Sequence, residues 1–461
     1  MSRKHISIAA ILFFCLQLHA QPDLIRLSTD HARFQTSSGE PFFWLGDTGW
    51  LLFVKCTRED AIKYLDARKQ QGFNLIQVMV LHDLPNTVNV YGDSALRKLD
   101  IAQPIVTEGS HAEDAKQYDY WDHVEFIIKE AGKRNMQMAL VPMWGSNIKI
   151  GKPNATQIKT YADFISKRLG HLDNIIWLNG GDVAPADAMD LWDLMGKTIK
   201  QNDARHLMTY HPRGRYSSSE WFHAAPWLDF NMFQSGHKSY AQDSSAKDKY
   251  HFGEDNWIHV VKDIALAPYK PTLDGEPSYE NIPHGLHDSL DRRWTAHDIR
   301  RYAYWSVLAG AAGFTYGENA VMQFHHLGDK DANFGVNQPW EEALHSPGAK
   351  QMQHLFSLMQ LFGASHWHQA QSAIVENGVR YERVAAAASE ELAVLYSFTG
   401  KPFTIDLSQL PVKGIKAAYW LDPSTGKKQK ANIELKKSIT KVDPQEMKST
   451  APDRVLVLRN K

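Results

Sequence analysis

Two segments about a hundred residues apart each end an apolar run in a carboxylate. One is Asn174-Ile175-Ile176-Trp177-Leu178-Asn179-Gly180-Gly181-Asp182, the other Pro271-Thr272-Leu273-Asp274-Gly275-Glu276-Pro277. Two carboxyl groups facing one another suit hydrolysis at an acetal carbon: one gives a proton while the other attacks carbon or activates water. Asp182 is the candidate acid/base, a role that needs a pKa raised by apolar neighbours or by a second carboxylate. Taken alone, it reads equally well as a cap for a helix starting near Pro185. Glu276 is the candidate nucleophile, with Pro277 fixing the chain just after it. Asp274 lies on the same strand face but deeper, and Glu280 is a rival just beyond.

Both carboxylates need a scaffold that collects strand ends on one face. Strand-like and helix-like segments alternate from about residue 40 to 362. Strands are expected at 42–45, 74–81, 136–143, 174–178, 206–210, 228–233, 271–275 and 311–316, with helices between them. The α/β pattern of eight repeats favours a (β/α)8 TIM barrel, whose strand C-termini form the active face. An open doubly wound sheet is the alternative, but no glycine-rich nucleotide turn follows the first strand. In a barrel, strands four and seven stand opposite, which pairs Asp182 with Glu276.

Other strand ends supply candidate ligand-binding groups: Asp47, Trp50, His82, Trp144, Asn179, His211, Gln234, Tyr316 and Glu318. A loop of more than thirty residues after strand two, containing Asn86, Tyr91 and Tyr118, has the length of a functional loop. His325-His326 lacks metal-ligand spacing and a third ligand, so no metal is expected, and no organic cofactor either. There is no Gly-x-Ser-x-Gly elbow of an esterase.

After about residue 365 the pattern changes to short strands at 379–386, 392–398, 403–407, 417–421 and 455–458. Gly/Pro turns separate them, as in a small antiparallel β-sandwich. Arg3 and Lys4, the apolar run Ile6–Leu18 and the small residue Ala20 form a secretory signal pattern. The expected divisions are therefore 1–20 signal peptide, 21–364 barrel and 365–461 sandwich, with a periplasmic or secreted location. Bulky Leu12-Phe13-Phe14 before Cys15 argues against lipidation. With cleavage after Ala20, only Cys56 remains and no intramolecular disulfide can form. The formal net charge is −1, which favours neither nucleic acid nor an anionic membrane, and no long apolar run suits a membrane span. Twelve of the 14 tryptophans lie between Trp44 and Trp340. Core filling is their commoner use, although indole faces also stack on sugar rings.

Phe43-Trp44-Leu45-Gly46-Asp47-Thr48-Gly49-Trp50, Asn179-Gly180-Gly181-Asp182 and Asp274-Gly275-Glu276-Pro277, in that order, resemble the apiosidase-like glycoside hydrolases of family 140. The resemblance covers about residues 24–363; the remainder looks like the small β-sandwich often appended there, sometimes labelled collagen-binding. It implies a barrel that releases apiose-linked side chains from the pectin rhamnogalacturonan-II, with Asp182 as acid/base and Glu276 as nucleophile. The expected partner is a plant polysaccharide or oligosaccharide. Other readings are a β-glucanase or β-galactosidase type on the same barrel, or a non-catalytic glycan-binding protein. A retaining mechanism would set the carboxyl groups about 5–5.5 Å apart, an inverting one about 6.5–9.5 Å.

Overall fold

In the computed structural model, which describes residues 22–243, 253–363 and 367–460, eight parallel strands surround a packed interior. They are β1 (Trp44–Thr48), β2 (Leu75–Met79), β3 (Gln137–Val141), β4 (Ile175–Val183), β5 (Met208–Pro212), β6 (Asn231–Gln234), β7 (Thr272–Asp274) and β8 (Gly313–Tyr316). Helices alternate with them: α1 (Arg58–Gln70), α2 (Tyr120–Lys133), α3 (Ala155–Leu169), α4 (Met189–Asn202), α5 (Ser219–Phe222), α6 (Trp257–Ile264), α7 (Ala296–Leu308) and α8 (Pro347–Met359). The sheet runs in the order β5-β4-β3-β2-β1-β8-β7-β6, and the two-residue strand Tyr216–Ser217 adds antiparallel to β6 at its end. At the seam, Asp229 N–H donates to the Met208 carbonyl (2.8 Å) and Thr209 Oγ1 to the Phe230 carbonyl (2.6 Å), nearly closing the barrel. This is the (β/α)8 fold the sequence predicts. Residues 1–20, expected from the sequence to be a signal peptide, lie outside the described residues.

Local sequence fixes where the helices start. Thr57, Asp119, Asn154 and Thr295 each accept a bond from the backbone N–H three residues on. The side chains of Asp60, Asp122, Gln157 and Asp298 answer the cap residue's own N–H. These reciprocal caps satisfy amides that a helix start leaves open. The strands are buried on both faces, which is why they read as continuous apolar runs.

One strand-end candidate, Asp47, is taken up inside the protein. Asp47 is fully buried and takes Arg68 Nε at 2.6 Å and the Tyr64 hydroxyl at 2.5 Å on one oxygen. Arg68 comes from α1, 21 residues on, so the pair ties the first strand to its helix. Arg68→Met should cost about 3–5 kcal/mol, because it strands a buried carboxylate. Urea unfolding checks this, and adding Asp47→Asn should recover most of the loss. Part of the long loop after β2 packs on the start of α1, where Arg58 lies 5.2 Å from the ring centres of both Tyr91 and Tyr118.

The C-terminal part is a sandwich of a six-stranded and a three-stranded antiparallel sheet. Its central strands run apolar without alternation because both faces are covered. Leu392, Val394, Tyr396, Val455 and Val457 join the barrel's hydrophobic core. Ala393, Leu395, Leu456 and Leu458, one residue out of step, fill the sandwich interior with Ile405 and Val442 of the smaller sheet. Arg300 of α7 forks onto both oxygens of Asp453 at 2.7 Å, Tyr304 stacks on Tyr396, and His297 on Phe398. Residues 380–382, expected as strand, form a single 3₁₀ turn in which Arg380 has φ +50°. The turn directs Tyr381 towards the barrel, where its hydroxyl bonds Glu254.

Candidate active site

β4 does not stop at Leu178, as its apolar run suggests. It continues to Val183 through a bulge between Gly180 and Val183. Gly180, Gly181 and Asp182 have φ of +87°, +116° and +50°. Two glycines make two of those conformations free of Cβ strain, while Asp182 holds the third against its own preference. The bulge breaks the pairing to β5 and presents Asp182 to a cleft at the strand C-termini. A Cβ on Gly181 would lie 2.6 Å from the Trp144 ring and 3.0 Å from the Gly145 nitrogen. Gly181→Ala should therefore shift both the acid and the indole. A displacement near 1 Å costs about 10²-fold in turnover, which initial-rate assays alongside circular dichroism of the same sample would show.

Glu276 is reached differently. After β7, Gly275 N–H donates to the Phe233 carbonyl (2.8 Å) and Gly236 N–H to the Glu276 carbonyl (3.1 Å), so the pairing to β6 carries on past the regular strand. Gln77 Nε2 donates to the Gly275 carbonyl at 2.8 Å. The Glu276 carboxyl is 6% exposed and sits between two imidazoles. His237 Nε2 is 3.2 Å from Oε1 in an aligned hydrogen bond. His211 Nε2 is 3.1 Å from Oε2, at ion-pair distance but without that alignment. The Asp182 backbone N–H donates to His211 Nδ1 at 3.3 Å. A backbone N–H can only donate, which assigns the ring proton to Nε2, facing Glu276. His211 thus links the two carboxylate segments.

These surroundings push the carboxyl groups apart. Burial works against charge on Glu276, but the N–H groups of His211 and His237 outweigh it and hold the group near about 2. Asp182 is raised to about 6, first by desolvation and then by the negative charge of Glu276. Its side chain is open to the cleft, yet protein surrounds that cleft, so its charge is less well hydrated than in bulk water. Near pH 5, one carboxyl is ionised and the other holds its proton.

The cleft has a volume of about 930 Å³. Trp50, His82, Trp144 and Gln234 line it, and His211 stands behind Glu276. Trp50 donates from Nε1 to the Tyr279 hydroxyl (3.0 Å) and packs 5.2 Å from Trp144. The other candidates are spent elsewhere, as Asp47 is. Asn179 bonds the Trp192 carbonyl (2.8 Å) and the Gly180 N–H. The Tyr316 hydroxyl donates to Glu280 at 2.6 Å. Glu318 caps the short helix Asn319–Met322 through the N–H groups of Ala320 and Val321. None of those four lines the cleft, and each is bonded within the protein. Glu280, the rival acid, is buried against Tyr316 and the Gly348 N–H. Asp274 accepts from Ser235 and Asn256, and burial raises it to about 7.

The sequence reading missed His237, Tyr279, Arg213, Arg215, Lys149 and Lys238, which also line the cleft. Gln234 was named three residues before His237, and Glu276 three before Tyr279. The available signal was proximity to those ends, but nothing in the chain says how the backbone turns there. A smaller cavity of about 110 Å³, at the N-terminal ends of β1 and β8, contains no acid. No cluster of three potential metal ligands occurs among the described residues.

A barrel with two carboxylates of opposed pKa at the C-termini of β4 and β7 defines a glycoside hydrolase-type site. Residues 28–365 match the family described as "Apiosidase-like, catalytic domain", and residues 369–459 that described as "Putative collagen-binding domain of a collagenase". A solved structure titled "Glycoside hydrolase" is 38% identical, with a TM-score of 0.86, covering 95% of this chain and 97% of that one. Another, a glycoside hydrolase family 5 protein from Bacteroides vulgatus ATCC 8482, is 36% identical with a TM-score of 0.85, covering 95% and 93%. No curated protein matches the chain. The chain belongs to the apiosidase-like glycoside hydrolases, and its substrate is a glycan.

Proposed function

We propose that the protein is a retaining glycosidase that removes apiose-linked side chains from an acidic pectic glycan of the rhamnogalacturonan-II type. Glu276 attacks the anomeric carbon while Asp182 protonates the departing oxygen, leaving a glycosyl ester on Glu276. Asp182, now ionised, takes a proton from water, whose oxygen displaces Glu276 and frees the sugar. The observation that carries this reading is the pair itself. In one cleft Glu276 is held charged by two imidazoles, and the Asp182 carboxyl is pushed up to about 6 by burial and by the charge of Glu276.

The character of the cleft supports an acidic glycan. Lys149, Arg213, Arg215 and Lys238 line it, and its only carboxylates among the described residues are Asp182 and Glu276. Arg215 is paired with Asp243. Trp50 and Trp144 offer apolar faces for a sugar ring. Gln234 Oε1 and His237 Nδ1 are buried without a hydrogen-bond partner in the protein, which suits sugar hydroxyls. Arg213→Ala should raise KM about tenfold on a uronate-bearing oligosaccharide and leave KM for its uronate-reduced form nearly unchanged.

The test is product analysis on rhamnogalacturonan-II and other pectic glycans, with NMR of the first anomer released. An apiose-terminated product of retained configuration supports the proposal. Inverted product overturns the mechanism, and release from neutral glycans alone overturns the substrate. We further propose cleavage after Ala20 and export, which N-terminal sequencing of protein from the periplasm or medium would test.

A further inference from the structure

We propose that the C-terminal domain is part of the catalytic apparatus: Tyr381 clamps the chain segment that presents His237 to Glu276. The inference rests on the role given to Glu276 above.

The described residues of this segment are 235–243, which follow β6, and 253–256, which precede α6. Both of its feet stand on one buried carboxyl. Ser235 Oγ and Asn256 Nδ2 donate to Asp274 Oδ2 at 2.7 Å and 3.0 Å. His237 is two residues inside the first foot and Glu254 two residues inside the second. The His237 carbonyl is held by Gly285 N–H (2.7 Å) and Trp294 Nε1 (3.3 Å).

The barrel holds the span from Lys238 to Asp243 through Arg215 on Asp243, Gln242 Nε2 on Asp291 (3.1 Å) and the Tyr240 hydroxyl on Asp255 (2.8 Å), and the other domain adds Tyr381 at Glu254. Glu254 is 1% exposed and gathers four donors. Arg301 Nη2 reaches Oε2 at 2.5 Å, and Tyr240 N–H reaches Oε1 at 2.6 Å. Arg301 Nη1 also bonds the Glu254 carbonyl at 3.2 Å. The Tyr381 hydroxyl spans both carboxylate oxygens at 3.0 Å and 2.9 Å. The Tyr381 ring packs 5.1 Å from Tyr240, Arg380 lies 4.9 Å over Tyr240, and Arg383 lies 3.7 Å over Trp257 at the start of α6. Tyr240 is three residues from His237, so ordering Tyr240 restricts the imidazole. A sandwich serving only as ballast needs no hydrogen bond to a buried carboxylate of this segment. Here the 3₁₀ turn at residues 380–382 delivers Arg380 and Tyr381 to it.

The test uses full-length protein with Tyr381→Phe, which keeps the ring and removes only the hydroxyl, and Tyr381→Ala as the larger change. On rhamnogalacturonan-II, kcat should fall about tenfold in Tyr381→Phe with KM within about twofold, the pattern of a misplaced reacting group. His237→Ala should fall at least as far, and Tyr381→Phe added to it should change nothing more. Independently of substrate, the His237 ring signal in a 13C-histidine NMR spectrum should move in Tyr381→Phe while the His206 signal stays. An unmoved His237 signal, or additive losses in the double variant, overturns the clamp. If Glu276→Gln is inactive in the same experiment, the reading of Glu276 survives that failure. Full turnover by Glu276→Gln removes both.

Discussion

Glu276→Gln is expected to lower kcat by roughly 10⁴- to 10⁶-fold on whichever glycan the wild type hydrolyses, the scale of removing a covalent nucleophile. The amide keeps the shape of the carboxylate and its hydrogen bond to His237, so near-ultraviolet circular dichroism should be unchanged. A second consequence follows from coupling. The negative charge of Glu276 is one of the forces holding Asp182 near about 6. Without it, Asp182 keeps its desolvation but loses the repulsion, and its pKa should drop. Glu276→Gly should be rescued by azide, which enters the vacated face and yields a glycosyl azide of inverted configuration. Wild-type-like turnover by Glu276→Gln, or no azide product, would remove this residue from the chemistry. Stability carries its own sign. Glu276 has a folded pKa below its ordinary 4.5, so its contribution is present above that value and is lost as pH falls towards about 2. Glu276→Gln should therefore destabilise the protein at neutral pH and make no difference near the acid end.

Asp182→Asn should cost about 10²- to 10⁴-fold in kcat/KM when the leaving group is a sugar hydroxyl. The loss should shrink with a nitrophenyl leaving group, which departs without a proton. In the wild type, kcat/KM should decline as pH rises through about 6, where Asp182 gives up the proton it must donate. That alkaline limb should vanish in the variant. The stability effect is opposite to that of Glu276. A carboxyl whose folded pKa exceeds its unfolded 3.8 destabilises the fold increasingly between that value and about 6, and fully above. Asn cannot ionise, so Asp182→Asn should melt higher than wild type above about pH 6, with the gap closing below about pH 4. It is a stabilising change that destroys function, as expected where a strained, desolvated group is held for chemistry. A variant that melts lower at every pH, or keeps its alkaline limb, would contradict this assignment.

Local physics determined much of this protein. Strands buried on two faces must be continuously apolar and helices on a core must be amphipathic, so the alternation from β1 to α8 is written in the chain. A barrel of such repeats sends every strand C-terminus to one face, which makes Asp182 and Glu276 a pair before any coordinates exist. The tertiary structure decided which other strand-end groups reach the cleft. Asp47, Asn179, Tyr316 and Glu318 occupy the same kind of position as Gln234, yet each is spent on a partner inside the protein: Arg68, the Trp192 carbonyl, Glu280 and two helix amides. His237 and Tyr381 carry no local signature at all. Their roles depend on a chain reversal after β6 and on a domain packed more than a hundred residues further along. Periodicity records which face of an element is buried. It does not record what the buried group touches, because that partner is set by chain crossings that no stretch of sequence contains.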